Sequence, residues 1–138
     1  MKAIQFYTIK SSGGLRVEIC NLGAKISKLL VANTKGEVKD IVLGFKTAEE
    51  WRNKETYFNA ICGRVANRIK DGRFSIDGQS YQLPINNGTN SLRGGVEGFN
   101  AKTWDVTAQS AYSITLHYRS KDGEEGYPGD LKLKAIYT

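Results

Sequence analysis

Gly72-Arg73-Phe74-Ser75-Ile76-Asp77-Gly78-Gln79-Ser80-Tyr81-Gln82-Leu83 reads as two alternating runs joined by Asp77-Gly78. An Asp-Gly pair accepts the positive φ angles of the tight turns whose twist matches a β-ribbon, so this stretch predicts a hairpin. The same pattern recurs outward from it. Residues 15–22 before Gly23, 25–33 before the turn at Thr34-Lys35-Gly36, 40–45 (DIVLGF) and 73–76 have strand character bounded by turn residues. Tyr112 to Tyr118 and Leu131 to Tyr137 alternate apolar and polar side chains, as strands half-buried against a core do. One short helix is expected where Thr47 precedes Ala48-Glu49-Glu50-Trp51, with Glu50 completing a capping box. Short strands and Gly-rich loops, with 15 glycines in 138 residues, predict an all-β chain, an antiparallel β-sandwich or part of one.

A chain that is 40% hydrophobic and 25% charged has the make-up of one globular unit, and residues 1–138 show no internal boundary, repeat or low-complexity segment. At this length folding buries roughly two-thirds of the unfolded surface, enough without metal or disulfide staples, so no cofactor is called for. Cys20 and Cys62 lie far apart with no CxxC and no nearby histidine, and read as buried free thiols rather than a metal or redox pair. The 20 basic against 14 acidic residues give a charge of +6, but the charges are dispersed and not interleaved with aromatics, which argues against a nucleic-acid partner. No stretch approaches the roughly 18 apolar residues of a membrane span, and MKAIQFYTIK lacks the apolar core of a signal peptide. A cytoplasmic protein with no membrane partner is the expectation.

Several motifs, taken in order and at their spacing, resemble the galactose mutarotase (aldose 1-epimerase) family and span essentially the whole chain. They are Asn21-Leu22-Gly23-Ala24, the run from Asp40 to Phe45, and Tyr57-Phe58-Asn59-Ala60-Ile61-Cys62-Gly63-Arg64-Val65-Ala66-Asn67-Arg68-Ile69. Asn90-Ser91-Leu92-Arg93-Gly94-Gly95 with Gly98-Phe99, and Asp122-Gly123-Glu124-Glu125-Gly126-Tyr127-Pro128-Gly129, complete the set. The resemblance implies the mutarotase-like supersandwich, here as an N-terminal portion, with a cleft that binds a hexose in its pyranose form and interconverts its anomers by opening the ring. That reaction needs an acid and a base on opposite sides of the sugar. In the family these resemble a histidine in an Asn-His-Ser/Thr-Tyr segment and a late glutamate, both of which would lie beyond position 138, so no residue of this chain is assigned a catalytic role.

What the resemblance carries over is the first part of the binding site. Asn67 and Arg68 match an Asn-Arg pair that faces the sugar in the family, and an arginine fork is suited to donating to hydroxyls or a ring oxygen. Arg93 stands where the family has histidine in Leu-His-Gly-Gly. Arginine is permanently charged and only a donor, which fits either a substrate bearing an anionic group or a variant that has lost activity. Phe99, after Gly98 and beside the Arg93 motif, is the aromatic expected to line the cleft, while Trp51 and Trp104 suit the core. His117 faces away from Ile114, Leu116 and Tyr118 and reads as a surface residue; Asp122, Glu124 and Glu125 read as a turn rather than a cation site. Leu131 to Thr138 ends inside an alternating pattern, so open strand edges and self-association, or pairing with a missing C-terminal half, are expected. The competing reading is a non-catalytic carbohydrate-binding module that uses Asn67, Arg68 and Arg93 as its contacts.

Overall fold

The computed structural model describes residues 2–54 and 57–138. In chain order the strands are β1 (Phe6–Lys10), β2 (Arg16–Cys20), β3 (Lys25–Ala32), β4 (Val38–Asp40), β5 (Arg68–Ile69), β6 (Arg73–Ile76), β7 (Gln79–Gln82), β8 (Ser91–Leu92), β9 (Asp105–Gln109), β10 (Ile114–Ser120) and β11 (Leu131–Tyr137). A single α-helix among the described residues, α1 (Ala48–Asn53), follows β4. The strands form an antiparallel sheet ordered β1-β2-β3-β4, a second ordered β11-β10-β9, and two short ribbons, β5-β8 and β6-β7.

The two larger sheets share one core. Ile9 and Ile19 from the first meet Ile114 and Leu116 from the second, with Ala24, Phe99 and Trp104 filling the space between them. Alternation produces this directly: in β10, Ile114 and Leu116 point inward while His117 and Arg119 are exposed, as strand geometry requires. Tyr137 ties the layers together by donating its hydroxyl to the Ala24 carbonyl at 2.7 Å. Burial pushes its phenol pKa up. A second apolar cluster of Cys20, Leu22 and Trp51, packed by Ile4 and Phe45, lies under α1.

The hairpin forms as read. Asp77 (φ 50°) and Gly78 (φ 80°) make the turn, and Phe74 stacks on its cross-strand partner Tyr81 with centroids 5.2 Å apart. A Cβ on Gly78 would meet nothing, so glycine serves the turn's dihedral angle rather than a close contact. The Thr47 cap forms too: Thr47 Oγ1 accepts from the Glu50 N–H at 3.2 Å, and the Glu50 carboxylate accepts from the Thr47 N–H at 3.2 Å.

One strand expectation is corrected. DIVLGF belongs to a strand only at Asp40, and Ile41 and Leu43 are 62% and 69% exposed. Asp40 Oδ1 accepts from the N–H groups of Leu29 (3.0 Å) and Val42 (3.3 Å), and this side-chain turn leads the backbone out of the ladder. Tyr112 likewise sits in the β9-β10 turn, held by Ser110 Oγ, rather than in the strand.

Candidate functional site

The motifs around Gly63, Arg93 and Phe99 meet in a junction that only glycine permits. A Cβ on Gly94 would lie 1.7 Å from the Gly63 carbonyl oxygen, and one on Gly63 would lie 2.3 Å from the Phe99 ring. Gly94 and Gly95 also have φ of 93° and 114°, which L-residues rarely adopt. The Phe99 N–H donates to the Gly63 carbonyl at 3.1 Å, closing the junction.

This junction sets Asn67, Arg68 and Arg93 side by side. Arg68 pairs with Leu92 across β5-β8, and the Arg93 N–H donates to the Asn67 carbonyl at 2.8 Å. Arg68 Nε donates to Asn87 Oδ1 at 2.8 Å and Nη1 to Asn67 Oδ1 at 3.3 Å, so its fork is held by two side-chain amides while it remains exposed. The half-buried Arg93 guanidinium stacks 4.3 Å from the centroid of the Tyr57 ring, a cation–π contact that orients its plane. Asn86, which the sequence reading did not single out, shapes the loop. Its amide donates to the carbonyls of Leu92 (3.0 Å) and Gly95 (2.7 Å), and its oxygen accepts from the Leu92 N–H (2.6 Å).

Phe99 is corrected. It is 3% exposed, edge-on to Trp104 (6.2 Å) and Tyr118 (5.6 Å), so its ring belongs to the core and cannot stack on a sugar. Trp51 and Trp104 are also buried, at 1% and 2% exposure. Gly98 leads Phe99 inward because a Cβ there would strike the Arg93 carbonyl at 2.6 Å.

The Asp122-to-Gly129 segment forms a turn that braces the site. Glu125, in left-handed backbone at φ 50°, accepts from the N–H groups of Val96 (2.8 Å) and Glu97 (3.1 Å), pinning the loop after Gly95. Glu124 accepts from the Tyr118 hydroxyl (2.6 Å) and Ser120 Oγ (2.8 Å). Burial first, and the Glu124 carboxylate second, push the Tyr118 phenol well above its usual range. Arg64, quoted in the Gly63-Arg64-Val65 motif but given no role by the sequence, joins the two halves of this brace. It donates to Ser120 Oγ (2.9 Å) and to the carbonyls of Pro128 (2.8 Å), Ser120 (3.2 Å) and Lys121 (2.8 Å).

Asn67, Arg68 and Arg93 together offer N–H donors and one amide oxygen, an arrangement suited to orienting hydroxyls. His117 is on the outer face of β10, Cys20 is buried, and Cys62 is half-buried rather than buried; both thiols are free. Among the described residues no group of His, Cys, Asp or Glu is disposed to hold a metal ion, and no helix is long and apolar enough to cross a membrane.

Similarity to known proteins follows the same residues. The chain is 47% identical over 127 residues to galactose mutarotase from Bos taurus and 46% over 124 residues to that from Homo sapiens, covering 92% and 90% of this chain. Aldose 1-epimerase from Escherichia coli is 31% identical over 130 residues. The chain spans 37%, 36% and 38% of the length of these three relatives. Among solved structures, the GalM/aldose epimerase homologue from C. elegans matches with a TM-score of 0.94 and 34% identity, over 99% of this chain and 42% of that one. A galactose 1-epimerase from Lactobacillus acidophilus matches with a TM-score of 0.84 and 29% identity, over 99% of this chain and 40% of that one. The shared fold is thus the galactose mutarotase sandwich, of which this chain forms an N-terminal portion. The family model for aldose 1-epimerase matches residues 5–138, and the chain belongs to the aldose 1-epimerase family.

Proposed function

We propose that this chain supplies the first wall of a hexose-binding cleft in an aldose 1-epimerase, with Asn67, Arg68 and Arg93 as its sugar contacts. The observation that carries this reading is the backbone lock between Asn67 and Arg93, which presents all three side chains from one short ribbon. Sugar hydroxyls are recognised by planar donors fixed in direction, and Asn87, Asn67 and Tyr57 fix the two guanidinium groups here.

The acid and base of ring opening are assigned to a segment outside these 138 residues, and the chain by itself binds without turning over. Arg93 favours a second reading, a carbohydrate-binding module, because a permanently charged donor replaces a titratable residue at a sugar contact. Titration of isotope-labelled chain with galactose and glucose, followed by NMR, tests the binding common to both readings. Saturable shifts centred on Asn67, Arg68 and Arg93 are expected; shifts absent there, or centred elsewhere, would refute the assignment.

A further inference from the structure

Lys25 is the most unusual charge in the molecule. It is 2% exposed, and among the described residues no carboxylate pairs with it. Its Nζ lies 5.5 Å from the centroid of the Trp51 ring. Directly across the β2-β3 ladder is Cys20, whose thiol is pushed up by burial, so it supplies no negative charge at neutral pH. Desolvation in turn holds the Lys25 ammonium below its ordinary range. A buried ammonium without a partner is among the costliest groups a fold can carry.

Lys25 lines a cavity of about 260 Å³ under α1, together with Leu22, Trp51, Arg52, Lys54 and Asn100. That volume exceeds the roughly 30 Å³ share of a single water, and Lys25, Arg52, Lys54 and Asn100 set polar groups around it. Among the described residues lining it three side chains are basic, Lys25, Arg52 and Lys54, and none is acidic. Lys54 is exposed and already paired with Glu50 at 3.0 Å, whereas Lys25 is buried, its Cε 2.9 Å from where a Gly23 Cβ would be. Donors of one charge sign around a half-open recess match an oxyanion. The site is separate from the Asn67-Arg68-Arg93 ribbon, none of whose residues lines it.

We propose that the cavity beneath α1 binds a small oxyanion, a phosphate or carboxylate group, with Lys25 as its buried charge partner and Arg52 at its mouth. Apolar walls from Leu22 and Trp51 leave room for a small organic body beyond the anionic group.

Calorimetric and NMR titrations of the whole chain with inorganic phosphate and, separately, acetate, at constant ionic strength in chloride, test it. Saturable binding of one or both is expected, weakened about tenfold or more by Lys25→Met, as for loss of a charged hydrogen bond. Arg93→Ala serves as the control for binding at the sugar ribbon and should leave the affinity unchanged. If Lys25→Met does not fold, Arg52→Gln, on the exposed side of α1, should still weaken binding severalfold. Failure of both anions to saturate, binding that survives Lys25→Met intact, or binding lost with Arg93→Ala would overturn the proposal.

Discussion

The backbone N–H of Arg93 donates to the carbonyl of Asn67 at 2.8 Å, and both residues lie in left-handed backbone, with φ of 51° and 57°. Two motifs separated by the β6-β7 hairpin are therefore locked by main chain, and their side chains are left available. It follows that the Arg68 side chain, exposed and bonded among the described residues only to Asn67 and Asn87, contributes little to the fold. Arg68→Ala should change stability by no more than about 0.5 kcal/mol while removing sugar binding. Denaturant unfolding read beside NMR titration checks this; lost stability with unchanged binding would make Arg68 structural.

Arg64 is the opposite case. Its guanidinium satisfies three carbonyls and the Ser120 hydroxyl, and the part-buried carbonyls of Ser120 and Pro128 are costly to leave without a donor. Arg64→Ala should lower stability by about 2 to 4 kcal/mol, and Arg64→Lys should recover only a minor part, since an ammonium cannot span the same fork. Urea midpoints for the three proteins decide it. A Lys variant equal to wild type would show that charge, rather than the fork, matters.

These two arginines also show what was legible beforehand. The Asp77-Gly78 hairpin and the Thr47 capping box were readable because a few adjacent residues determine them. Strands β1, β5, β8 and β9 went unread: Asp105–Gln109, for one, carries little apolar alternation, and its place depends on pairing with β10. DIVLGF looked like a strand by composition, but Asp40 diverts it. The motifs singled out Asn67, Arg68 and Arg93, which the structure brings side by side, whereas the role of Arg64 rests on acceptors 56 or more positions away, which no local pattern records. Phe99 illustrates the same limit, since an aromatic after glycine serves a cleft or a core equally well until packing chooses.

Tyr118 gives a prediction with a definite sign. Its phenol is raised in the folded state by burial and by Glu124, so its contribution to stability is complete below the unfolded value of about 10 and is lost as pH rises beyond it. Tyr127 and Tyr137 shift in the same direction, also through burial. Lys25 has the opposite sign: its depressed value penalises folding at neutral pH, and that penalty fades as pH rises toward the ordinary lysine range. The stability difference between wild type and Tyr118→Phe should therefore be constant between about pH 7 and 9 and shrink above about pH 10. A difference that stays flat through that range would show that the hydroxyl does not titrate differently on unfolding.

Association is expected at the sheet edges. Among the described residues β11 pairs with β10 on one side only, and Ile136, Leu43 and Ile41 are 54%, 69% and 62% exposed. Unpaired ladder edges beside apolar side chains recruit further strands. Static light scattering should show an apparent mass rising with concentration, and Ile136→Lys on the edge strand should reduce it. A clean monomer over a hundredfold concentration range would contradict the expectation.

The 138-residue chain alone should not accelerate mutarotation. Ring opening proceeds slowly in water, and an enzyme exceeds that background by placing an acid and a base together, each worth about 10²- to 10⁴-fold. Among the described residues the candidates for proton exchange are otherwise engaged. Glu125 accepts from the N–H groups of Val96 and Glu97, and Glu124 accepts from Tyr118 and Ser120. His117 lies on the outer face of β10. At the ribbon itself, the side chains of Asn67, Arg68 and Arg93 cannot take up or release a proton at neutral pH. Polarimetry of freshly dissolved α-galactose and α-glucose, with and without the chain and with a buffer control, should give identical rates. A protein-dependent rate that saturates with sugar would place the chemistry within these residues, and loss of that rate in His117→Ala or Glu125→Gln would identify which group carries it.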